Sequence, residues 1–141
     1  MNAAVLTARN SEGVSKWRLI LLRIFYVLLF VVLGLNVWPA IFTRRESWEP
    51  LAGIAFSFWA ALSALAILGL RYPLKMLPLL LLQMLYKTIW LLGVALPLWK
   101  AGKFDATAHE LFVACAVGVV GDVIVIPWRY VLESYVLKPN N

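Results

Sequence analysis

Leu19-Ile-Leu-Leu-Arg-Ile-Phe-Tyr-Val-Leu-Leu-Phe-Val-Val-Leu33 decides the fold of this chain. Arg23 is its only charge, and the mainly apolar segment extends on both sides, from Trp17 to Trp38. A helix that crosses a hydrocarbon core of about 30 Å needs roughly 20 mainly apolar residues, so this segment is long enough to span. It is also much longer than the roughly 7–15 residues of a signal-peptide core, and Trp38-Pro39-Ala40-Ile41-Phe42 is a poor cleavage site. It is therefore expected to be a retained helix.

Three more segments read the same way. Leu51–Leu70 has no charge, Leu74–Trp99 contains Lys87, and Leu111–Pro127 contains Asp122. The 141 residues are 63% hydrophobic and 14% charged, against about 45–50% apolar and about 25% charged in soluble domains. Too few polar side chains exist to coat a water-soluble globule, which excludes an ordinary cytosolic enzyme and a disordered tail. The lone Cys115 excludes an intrachain disulfide framework. The expected fold is all-α: a polytopic membrane protein of four transmembrane helices in an antiparallel bundle, forming one domain with no internal repeat. A short interfacial helix is expected at 128–136, where Trp128, Val131, Leu132, Tyr135 and Val136 follow helical spacing.

Orientation follows from the Lys/Arg bias. With four spans, both termini share a side with the link between spans two and three. Arg9, Lys16, Arg18, Arg23, Arg71, Lys75, Arg129 and Lys138 fall there, against Arg44, Arg45, Lys100 and Lys103 opposite. Glu46, Glu49, Asp105 and Glu110 lie with the smaller set, and Glu12 and Glu133 with the larger. Both termini are expected in the cytoplasm, and a bacterial inner membrane is the expected location. The net charge of +6 is explained by these flanking cations, so no nucleic-acid partner is expected. Trp17, Trp38, Trp48, Trp99, Trp128 and Tyr130 fall near span ends, as in aromatic belts.

Ionisable groups inside a span are costly and mark candidate sites. Arg23 is near one end of its span and can snorkel to the interface. Lys87 and Asp122 lie deeper, within around 5 Å of each other in depth at about 1.5 Å rise per residue, and are expected to neutralise each other. Gln83, Lys87 and Trp90 share a helical face flanked by Tyr86 and Gly93. Ala114, Gly118 and Asp122 form a small-residue stripe, as do Gly53, Ser57 and Ala61, widened by Ala60 and Ala64. Pro97 and Pro127 are expected to free the carbonyls of Gly93 and Val123. The candidate intramembrane polar site is thus Lys87, Asp122, Gln83, Tyr86, Trp90 and Arg23.

No zinc spacing, Gly-rich phosphate loop or nucleophile elbow occurs. His109 is expected in a solvated loop, and no catalytic residue, metal or cofactor is expected. The plan is similar in outline to the DoxX-like proteins, small four-span bacterial chains, a resemblance of topology alone. Small multidrug-resistance transporters share the size but carry a carboxylate in the first span, where this chain has Arg23. Two functions fit. One is an accessory or scaffold protein that binds lipid, partner helices or a second copy of itself, without catalysis. The other is an oligomeric proton- or cation-coupled transporter that uses the Asp122/Lys87 pair. An apolar ligand or quinone beside Trp59, Trp90 and Tyr86 is a third, weaker reading.

Overall fold

A computed structural model describes residues 13–44 and 47–138. Arg9, Glu12, Arg45 and Glu46, which enter the charge bias, lie outside the described residues. Four helices are long and apolar enough to cross a membrane: α1 (Lys16–Thr43), α2 (Pro50–Arg71), α3 (Leu77–Lys100) and α4 (Ala106–Val125). A fifth, α5, begins as Trp128–Val131 and continues in wider turns over Leu132–Leu137. No strand occurs among the described residues. The chain falls into two compact units. The first holds α1, α2, the link to α3 and α5, and the second runs from Leu80 to Ile126.

In the first unit, α1 starts where Ser15 takes an extended conformation and its hydroxyl accepts from the Arg18 N–H. The helix continues past the expected end at Trp38. Pro39 removes one donor, but Ile41 and Phe42 remain apolar and the Thr43 hydroxyl donates back to the Pro39 carbonyl at 2.9 Å. Leu29–Leu33 forms a wider π-type turn. There the Ser63 hydroxyl of α2 donates to the Phe30 carbonyl at 3.0 Å. A side-chain partner inserted at a helix carbonyl is an established cause of such local widening.

The start of α2 is set by Glu49, whose carboxylate accepts from Leu51 N at 3.1 Å and Ala52 N at 2.7 Å, with Pro50 at the first helical position. Small or short residues at every third position, Ala60, Ser63, Ala66 and Gly69, are buried. This differs from the expected stripe, of which Ser57, Ala61 and Ala64 are exposed. The reason is local: Ser63 meets α1 at Gly34, where an added Cβ would lie 2.8 Å from its oxygen. Gly69 receives the ring of Tyr26, which is fully buried, and the Tyr26 hydroxyl donates to the Pro73 carbonyl at 3.0 Å. Tyr26→Phe is expected to lower stability by about 1 kcal/mol, read as a lower unfolding midpoint in detergent. An unchanged midpoint would show that the hydroxyl contributes nothing.

After α2, Tyr72–Met76 forms a turn, so α3 begins three residues later than expected, with Pro78 in its first turn. The Tyr135 hydroxyl of α5 donates to the Leu74 carbonyl at 3.1 Å, holding α5 against this turn. Arg129 Nε and Glu133 Oε1 pair at 2.9 Å, four residues apart on the exposed side of α5. The hydrogen bond from Arg129 holds the Glu133 carboxyl below the usual glutamate range. A depressed folded-state pKa gives stability that is present above the unfolded value and lost as pH falls through the folded one. The pairing in α5 is thus expected to persist from neutral pH down through the ordinary glutamate range, with the Glu133 carboxyl resonance titrating below that of a free glutamate in NMR. A free-glutamate midpoint would contradict the pairing.

In the second unit, α3 carries a second wide turn, Leu91–Ala95, in which Leu96 N–H reaches back to Leu91 O. It immediately precedes Pro97, which cannot donate. Helix α4 starts five residues earlier than expected because the Asp105 carboxylate accepts from Ala108 N at 2.8 Å. His109 therefore stands in the first turn of a helix and not in a loop. It packs edge-on to Phe104, with ring centroids 6.3 Å apart. At the other end, Ile126 is extended (φ −64°, ψ 126°), the conformation favoured before proline. Pro127 consequently lies outside α4, capping α5, and does not interrupt the span as expected.

Candidate functional site

Helices α3 and α4 of the second unit bring Gln83 and Asp122 together. Gln83 is on the second turn of α3, 1% exposed, and Asp122 is near the end of α4, fully buried. The Gln83 Nε2 donates to both carboxylate oxygens of Asp122, at 2.9 and 3.0 Å. Its other amide atom, Oε1, is buried without a hydrogen-bond partner among the described residues. Burial of a carboxylate in an apolar layer is tolerated only with such compensation.

Lys87, one turn along α3 from Gln83, does not form the expected direct pair with Asp122. Within 4.0 Å, the ion pair between described residues is Arg129–Glu133. The lysine stem instead lies across Gly118 of α4, where an added Cβ would overlap the ammonium group. Lys87 remains within electrostatic reach of Asp122. The physical reason is reach and order. Gly118 is one turn from Asp122 and opens a notch at the height of Lys87, while Gln83 occupies the carboxylate. On α4 the packed line is therefore Cys115, Gly118 and Asp122, and Ala114 is exposed.

The other candidates separate. Tyr86 and Trp90 are half-buried on α3, and Arg23 is exposed on α1 in the first unit. Trp59 packs edge-on against Phe56, at 5.4 Å between ring centroids, in a cluster with Trp48 that Arg44 caps. Ser63 and Tyr26 are two further polar groups buried in these apolar helices that charge and hydropathy alone do not single out. Their signal was present: Ser63 shares a three-residue repeat with Ala60, Ala66 and Gly69, and a span tyrosine needs a hydroxyl partner.

Because the contact at Gly118 involves the far end of a flexible side chain, Gly118→Ala is expected to displace the ammonium at a cost under about 1 kcal/mol. A larger loss of unfolding stability would mean that the Lys87 stem is fixed in the notch.

Comparison with family models, curated proteins and solved structures gives no match to this chain.

Proposed function

We propose that this chain is a small integral membrane accessory or scaffold protein that offers its helices to lipid and partner helices and performs no chemistry. The observation that carries this reading is closure of the polar interior. The Asp122 carboxylate is fully buried and accepts a hydrogen bond at each oxygen from Gln83. A group closed in this way fixes the pairing of α3 with α4. In keeping with an outward-facing role, only 17–28% of each apolar window is buried, leaving broad apolar faces for lipid or other helices. The cytoplasmic placement of both termini remains part of this proposal.

A second reading, proton- or cation-coupled transport, is favoured by the unpartnered Gln83 Oε1 and the unbridged Lys87 ammonium. In that reading Asp122 is the proton or cation site, and a homo-oligomer completes the pathway.

Reconstitution separates the two. Proteoliposomes are expected to show proton, monovalent-cation and hydrophobic-cation flux equal to empty liposomes. A pH-dependent flux abolished by Asp122→Asn would overturn the scaffold reading and establish the second.

A further inference from the structure

The first unit contains a cleft of about 290 Å³ between the start of α1 and the start of α5. Arg18 and Ser15 line one side, and Trp128, Arg129, Tyr130 and Glu133 the other. We propose that this cleft binds the phosphate of an anionic phospholipid headgroup. The inference extends the lipid-binding half of the scaffold reading by naming a site and a headgroup class.

Three features converge on that ligand. The first is depth. Helix α1 has 28 residues, about 42 Å at 1.5 Å per residue, so it exceeds a hydrocarbon core of about 30 Å and its ends reach the headgroup layer. Trp128 and Tyr130, rings of the kind that settle at that level, form the cleft wall. The cleft therefore opens at the height of lipid phosphates and not in the aqueous phase.

The second feature is charge. The described residues on this end of the unit include Lys16, Arg18, Arg71, Lys75, Arg129 and Lys138, against Glu133 alone. Glu133 engages the Nε of Arg129, which orients the guanidinium and leaves its two terminal nitrogens as the donors suited to a phosphate fork. Such a basic end attracts anionic lipid diffusely, and a directed contact to phosphate is available at the cleft. The third feature is the positive end of the α1 dipole, at the cleft beside Ser15.

A diffuse basic face and a built cleft make different predictions. The protein is to be placed in nanodiscs of phosphatidylcholine containing a minor share of phosphatidylglycerol, and retained lipid measured by native mass spectrometry. Enrichment of phosphatidylglycerol over its bulk share is expected. Arg18→Gln with Arg129→Gln should reduce that enrichment about tenfold, equivalent to about 1.4 kcal/mol. Arg71→Gln with Lys75→Gln removes the same charge from the same end outside the cleft and should leave it nearly intact. Arg129→Gln alone alters an exposed side chain and supplies the test if the double variant does not fold; it should lower enrichment severalfold. Equal loss in both double variants, no enrichment, or undiminished enrichment in Arg129→Gln would overturn the proposal. Glycerol phosphate or inorganic phosphate that displaces the lipid at millimolar concentration would also overturn it, by making the cleft a soluble-phosphate site. Failure here leaves liposome flux unchanged, so it is distinguishable from failure of the scaffold reading.

Discussion

Gln83→Leu is expected to destabilise the second unit by about 3–5 kcal/mol, because it strands the buried Asp122 carboxylate without a donor. The same change made together with Asp122→Leu is expected to recover most of that loss. Removing both partners leaves apolar side chains of similar size in an apolar layer, with nothing uncompensated. Interhelical hydrogen bonds between neutral groups in membranes average only about 0.6 kcal/mol, so the predicted size rests on the charge of the stranded group. Asp122→Asn keeps a polar partner for the Gln83 amide and also offers a donor to its Oε1, and it should change stability by less than about 1 kcal/mol. Reversible unfolding of the four variants in mixed micelles gives the coupling energy directly. Additive effects, with the double variant as weak as the sum of its parts, would show that Gln83 and Asp122 do not act as a pair.

Gly69→Val is the second large effect, expected in the first unit. A Cβ at Gly69 would overlap three atoms of the Tyr26 ring, and Tyr26 has no space to retreat because it is fully buried with its hydroxyl held at Pro73. Either α1 and α2 separate or the ring leaves its rotamer. Overpacking of this kind costs about 1–3 kcal/mol and occasionally more, and loss of the Pro73 bond adds about 1 kcal/mol. Gly69→Val is therefore expected to lower unfolding stability by about 2–4 kcal/mol. Gly69→Val combined with Tyr26→Ala should be less damaging than the two changes summed. A wild-type unfolding midpoint in Gly69→Val would mean that α1 and α2 do not approach closely at this level. Gly53 is the control: a Cβ there meets nothing within 4 Å, so Gly53→Ala should be neutral or slightly stabilising through its higher helix propensity.

The number of helices long and apolar enough to cross a membrane, and their approximate limits, were legible in the sequence because an apolar run of span length has few alternatives in water or lipid. Asp122 and Lys87 were legible as polar groups set within apolar helices for the same reason: each interrupts a hydrocarbon-soluble segment at a cost. Helix ends were less so, because caps such as Asp105 act through one side-chain bond that hydropathy does not register. The choice of partner was decided only in three dimensions. Charge alone matched Asp122 with Lys87, but in the folded chain Gln83 takes the carboxylate and Lys87 rests across Gly118. Likewise, two small-residue stripes were available on α2, and the one that packs is set by where Tyr26 and Phe30 of α1 fall. Composition and periodicity report what a residue costs in a given medium. Which neighbour offsets that cost depends on helix rotation and register, and these are fixed by side chains on the facing helix.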